Sequence, residues 1–114
     1  MLFRSIGSAS RCVLWRGQGH TLGALVLANQ GRPGALVVDG RRVVIAPPAG
    51  SPPTERGSII MLLATDAPLD ARQLTRVARR AAAGLARTGS DYGHGSGDIA
   101  LAFSTVLQIG RAHV

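Results

Sequence analysis

Hydrophobic residues along this chain fall into two kinds of pattern. Residues 21–28 (TLGALVLA) are apolar almost without a break, as expected of a central strand covered on both faces. Residues 58–65 (SIIMLLAT) read as a second buried strand and residues 99–103 (IALAF) as a third. Between these last two the period becomes helical. Leu74, Val77, Ala78, Ala81 and Leu85 define one apolar face, while Arg72, Arg76, Arg79 and Arg80 take the other side as a solvated row. Asp70 stands where a helix N-cap belongs, Gln73 completes a capping box, and Gly89 is placed to end the helix. Residues 35–38 and 42–45 flank Asp39-Gly40, a pair suited to a hairpin turn. Residues 47–53 (PPAGSPP) form a surface loop, because proline cannot donate to a sheet ladder.

Composition narrows the classes. At 114 residues the chain makes one domain, and nothing suggests two. Hydrophobic content of 46% argues for a packed core rather than disorder. Net charge is +7, and all 13 basic residues are arginine, which points to a GC-rich coding sequence more than to a binding function. The aromatics Phe3, Trp15, Tyr92 and Phe103 are scattered and no nucleic-acid motif accompanies them, so no nucleic-acid partner is expected. An arginine-rich structural or interaction module is the alternative reading of the charge. Cys12 is the only cysteine, so no internal disulfide or cysteine-based zinc cluster can form, and it reads as a buried, inert thiol. His20, His94 and His113 lack metal-ligand spacing, and neither metal nor other cofactor is expected. Apolar runs such as 59–64 are too short to span a bilayer, and no export-signal layout is visible. The expectation is a soluble, cytoplasmic protein without a membrane partner.

Residues 93–108 (GHGSGDIALAFSTVLQ) carry the chemistry. Ser96 lies between Gly95 and Gly97 in a polar loop that runs into the 99–103 strand. Flanking glycines remove side-chain bulk and permit backbone angles closed to other residues, so a hydroxyl can be brought against a carbonyl carbon. The nearest candidate carbonyl is that of Gly95. Attack there is an N-to-O acyl shift, and hydrolysis of the ester would leave Ser96 as a new N-terminus. Its α-amine, titrating near ~8, would supply the base that a serine hydroxyl needs to become a nucleophile. Taken alone, Gly-Ser-Gly is also what a plain flexible turn looks like.

Two other readings of the glycines fail. A phosphate loop needs a strand before and a helix after, and here the order is reversed. An α/β-hydrolase elbow needs glycine two positions either side of the serine, where this chain has His94 and Asp98. His94 is a nearby base or an exposed loop histidine. Asp98 orients the new amine, caps the strand entrance or serves as a turn residue. For oxyanion stabilisation Asn29 has a suitable amide, and Thr65-Asp66 points into the same region if the strands are neighbours, although an ionised Asp66 is a poor donor.

The segments 58–69 (SIIMLLATDAPL), 78–90 (ARRAAAGLARTGS) and 95–105 (GSGDIALAFST) follow 6–11 (IGSASR) and 21–31 (TLGALVLANQG). In this order they resemble the L-aminopeptidase/D-esterase family, self-processing hydrolases that include D-aminopeptidases and β-peptidyl aminopeptidases. The resemblance implies an α+β fold, part of a four-layer αββα sandwich of the N-terminal-nucleophile type, incomplete in this chain. It further implies autocleavage at Gly95-Ser96, Ser96 as nucleophile, and aminopeptidase, amidase or esterase activity on short peptides, amides or esters. A homo-oligomer of processed chains is implied as well. Where the family often has asparagine before the Gly-Ser pair, this chain has His94. The family's further active-site serine and glutamate lie downstream of the nucleophile, beyond the last residue here. Residues 1–108 are therefore expected to be an internal fragment of the aminopeptidase domain, inert by itself, with 1–95 ending the α chain and 96–108 beginning the β chain. Residues 109–114 (IGRAHV) continue neither the strand pattern nor the resemblance and read as a non-native tail.

Overall fold

The structure, a computed structural model, describes residues 5–29, 31, 34–44, 49–50, 57–90 and 96–106. Its elements are β1 (Ser5–Trp15), β2 (Gln18–Asn29), β3 (Val37–Val38), β4 (Arg41–Arg42), β5 (Ser58–Thr65), α1 (Ala71–Arg87) and β6 (Ile99–Ser104). A four-stranded sheet has the order β1-β2-β5-β6, and β3 and β4 form a separate hairpin. β1 and β5 flank β2 antiparallel, whereas β5 and β6 run parallel.

β1 has no counterpart among the expected elements. Small, polar and apolar residues are mixed along it, all of them exposed, so no hydrophobic run announces it. Backbone pairing with β2, from Ser5↔Ala28 to Trp15↔Gln18, holds it in place. The connecting turn has Arg16 and Gly17 both at positive φ, 50° and 76°, the backbone twist that suits a two-residue hairpin. Asp39 (φ 50°) and Gly40 (φ 73°) turn the β3–β4 hairpin in the same way, with shorter strands than 35–38 and 42–45. Of the 47–53 loop only the turn at 49–50 falls within the described residues.

The register sorts the sheet into two faces. On one, Val26, Ala28, Ile59, Met61 and Ala100 pack with Ala81 and Leu85 of α1, and Ile59 and Met61 are buried. On the other, the rows Ile6–Leu27–Ile60–Ile99 and Ser8–Leu25–Leu62–Leu101 run across all four strands. Most of their apolar members are exposed, Ile6 by 70% and Ile99 by 58%. The helix therefore packs over β6 and β5 on one face, which corrects the expectation that both faces of the central strands are covered. Regular apolar rows on the second face are the inner surface of a layered molecule, and helix plus sheet form two layers of an α+β αββα sandwich. Cys12, expected to be buried, is exposed on β1.

Helix α1 forms where its period and cap predict. Asp70 Oδ1 accepts the Gln73 N–H at 2.8 Å, and Gln73 Oε1 accepts the Asp70 N–H at 2.9 Å, so the capping box closes reciprocally. Arg72, Arg76, Arg79 and Arg80 are exposed. At the other end Thr88 is the C-cap and Gly89 takes φ 84°. The Thr88 carbonyl accepts the Val37 N–H at 2.9 Å, which docks the β3 segment on the helix end. A Cβ at position 89 would lie 1.8 Å from the Ala35 carbonyl oxygen. Gly89→Ala is accordingly expected to cost about 2 kcal/mol or more, through backbone strain and the displaced contact. Chemical denaturation checks this, and wild-type stability in the variant would contradict it.

Candidate active site

Parallel pairing places the N-terminal ends of β5 and β6 side by side. Just before the strands begin, one residue ahead of β5 and three ahead of β6, Gly57 pairs with Ser96 in a parallel bridge, and the Gly97 N–H donates to the Gly57 carbonyl at 3.3 Å. Asp98 follows, and its Oδ1 accepts the Ile59 N–H at 3.2 Å. The same oxygen accepts the Ser96 hydroxyl. A single carboxylate oxygen thus ties the nucleophile candidate to the backbone of a central strand. Ser96 and Asp98 are half-buried and Gly97 is exposed.

From β2, Asn29 arrives opposite Ser58, and a Cβ on Gly97 would touch Ser58 Cβ at 4.0 Å. Ser96, Gly97, Asp98 and Asn29 are therefore brought to one end of the sheet, around the start of β5. Alternation along β2 turns Asn29 to the face opposite Val26 and Ala28. Two oxygens at this sheet end, Asp98 Oδ2 and Asn29 Oδ1, are buried and have no hydrogen-bond partner among the described residues. His94 and Gly95 lie outside the described residues.

Asp66 does not join this group. Its strand is indeed a neighbour of β2, but the two run antiparallel, so Thr65 pairs with Leu22 while Asn29 pairs with Ser58. Asp66 follows Gly57 by nine positions, roughly 30 Å at ~3.3 Å per residue. It serves the opposite end of the sheet, where Oδ1 accepts the Thr21 N–H at 2.8 Å and stands 3.7 Å from His20 Nδ1. Thr65 Oγ1 donates to the Thr21 carbonyl at 2.8 Å and accepts the Ala67 N–H at 3.1 Å, completing that closure. The expectation that Asp66 shares a region with Asn29 is corrected by strand direction. Gly57 and Ile59, which sequence reading missed, contribute backbone groups that no side-chain pattern encodes. The available signal was Asp98, two residues after the serine.

A strand-head serine held by a carboxylate thus sits on a helix-backed sheet with an apolar second face, a layered α+β arrangement. The family model of Peptidase family S58 matches residues 4–113, and the chain belongs to that family. It is 40% identical over 114 residues to the beta-peptidyl aminopeptidase BapA of Sphingosinicella xenopeptidilytica, an alignment covering 88% of this chain and 28% of the relative. It is also similar to the solved L-aminopeptidase D-Ala-esterase/amidase of Ochrobactrum anthropi, described as a prototype of the serine aminopeptidases and a variant of the Ntn hydrolase fold. There the TM-score is 0.77 with 43% identity, over 90% of this chain and 28% of that one. The PH0078 protein of Pyrococcus horikoshii OT3 gives a TM-score of 0.75 and 46% identity, over 97% and 31% of the respective chains. The chain thus spans less than a third of the length of each of these proteins.

Removing the Asp66 carboxylate by Asp66→Ala should cost about 1 kcal/mol and raise amide hydrogen exchange at Thr21, whose N–H loses its acceptor. Unchanged exchange at Thr21 would contradict the placement of Asp66 as a closure of the sheet.

Proposed function

We propose that Ser96 is the nucleophile of a self-processing aminopeptidase and that cleavage of Gly95-Ser96 activates it. The observation that carries this reading is the Ser96 hydroxyl bound to Asp98 at the head of β6, beside the start of a central strand. Peptidase-family membership and the aminopeptidase and esterase/amidase descriptions of the relatives support the reaction class.

In the uncut chain the Ser96 oxygen attacks the Gly95 carbonyl, converting the amide to an ester that water then hydrolyses. The freed α-amine becomes the base for the same hydroxyl. In the mature enzyme it takes the Oγ proton while Oγ attacks the carbonyl of a substrate's N-terminal residue. The proton then passes to the leaving amine or alcohol, and water releases the acyl group. Gly95 and Gly97 leave room for the backbone to bend, His94 assists the cleavage step, and the Asn29 amide is the donor for the developing oxyanion. Substrates are short peptides, amides or esters bearing a free N-terminus.

On the same reading, residues 1–95 end an α chain and 96–108 open a β chain. The chain spans less than a third of the length of its relatives, and this stretch alone is inert. Processed chains assemble as a homo-oligomer in the cytoplasm. Intact-mass analysis of the whole protein should find two chains, one beginning Ser-Gly-Asp. Ser96→Ala should stay uncut and lose at least about 1,000-fold in activity. An uncut wild-type chain with full amidase activity would contradict the proposal.

A further inference from the structure

The Asp98 carboxylate is used unevenly. Oδ1 accepts both the Ser96 hydroxyl and the Ile59 N–H, while Oδ2 is buried and has no partner among the described residues. Because Ile59 donates to that same Oδ1, the carboxylate cannot turn away from Ser96 without freeing an amide at the edge of the packed core, where Ile59 is 3% exposed. The acceptor is therefore fixed on the hydroxyl by the strand itself. Among the described residues Oδ2 has no donor before cleavage, and cleavage adds donors to the Ser96 nitrogen. Before cleavage the Ser96 nitrogen carries a single amide hydrogen; afterwards, as an ammonium, it carries three donors and a positive charge, two residues from Asp98.

We infer that Asp98 accepts the Ser96 hydroxyl proton during self-cleavage and anchors the Ser96 ammonium once cleavage is complete. The inference rests on the reading of Ser96 as the cleaving nucleophile. The Oγ–H proton passes to Asp98 as Oγ bonds to the Gly95 carbonyl carbon. The C–N bond then breaks, and the nitrogen keeps its own hydrogen and takes the proton back from Asp98, leaving a neutral amine and an ester. Water adds to the ester, restores the Ser96 hydroxyl and frees the Gly95 carboxyl, whose proton moves to the amine. Carboxylate and ammonium charges balance, and no outside reactant other than water is required. Oδ2 gains its donor at the last step, so the product of cleavage is held more firmly than the precursor. Asp98 is a catalytic residue for processing and a positioning residue for peptide hydrolysis, in which the ammonium first gives a proton to water and the resulting amine, still held by Asp98, acts as the base.

The test measures the rate of chain cleavage in the whole protein, with Asp98→Asn made in the Ser96 background and in Ser96→Cys. Asparagine keeps an oxygen for Ile59 but is a far weaker proton acceptor. Cleavage should slow about 100-fold with serine, the scale of a lost general base, and by no more than about threefold with cysteine, whose thiol ionises without strong assistance. Asp98→Ala should recover cleavage in added formate. Equal losses in the serine and cysteine backgrounds would assign Asp98 a structural role and overturn the inference, as would Asp98→Asn cleaving at the wild-type rate. If Asp98→Asn does not fold, Asp98→Ala decides alone: recovery in formate supports the role, and no recovery, or no folded protein, overturns it. The parent reading fails separately, if wild type is never cut before Ser96 or if Ser96→Ala is cut there equally. Wild type cut, Ser96→Ala uncut and Asp98→Asn cut normally would remove the Asp98 role alone.

Discussion

Parallel pairing between β5 and β6 is the constraint on which the rest of the arrangement depends. Two parallel strands cannot be joined by a tight turn, so the chain must return to its starting edge through a crossover, and α1 is that crossover. The return brings residue 96 level with residue 57 and lays Ser96, Gly97 and Asp98 along the first residues of a central strand. Helix and ladder stabilise each other, because Ala81 and Leu85 cover Ile59 and Met61 on the face the crossover passes. The capping box at Asp70 and the glycine gap at Gly89 set where the helix begins and ends, and so how far back the chain returns.

Chemistry at the strand head follows from that alignment. A loop serine has many accessible positions, and holding one of them costs conformational entropy. Here Ser96 is tied by its bridge to Gly57 and by the bond of its hydroxyl to Asp98, which is itself anchored on Ile59. The opposite end of the sheet is closed by different means, with Asp66, Thr65 and Thr21 bonded to one another. Among the described residues each end keeps a buried polar atom without a partner, His20 Nε2 beside Asp66 at one and Asp98 Oδ2 and Asn29 Oδ1 at the other, and the second end differs in placing a hydroxyl on its carboxylate.

Much of the fold was legible in the sequence. β2, β5 and β6 showed as apolar runs, α1 as a helical period with both caps, and Asp39-Gly40 as a turn. β1 was not, because its residues are exposed and its place is set by hydrogen bonding to β2 rather than by burial. Cover on both faces of the central strands was over-read for a related reason: apolar composition tells which surfaces are suited to burial, and neighbouring layers decide which are buried. The placing of Asp66 turned on strand direction, which adjacency alone does not determine. Ser96 and Asp98 were readable since they lie two residues apart, whereas the Ile59 amide that anchors them comes from a strand 39 positions earlier.

The central claim is that the hydroxyl at position 96 is the reacting group of the mature enzyme. The most direct measurement treats the whole active protein with a phenylmethylsulfonyl or fluorophosphonate reagent and maps the adduct by tandem mass spectrometry. The account predicts one modified residue, Ser96, at the first position of its chain, with loss of activity in proportion to labelling. Complete inactivation with the label on another residue and Ser96 unmodified would contradict it.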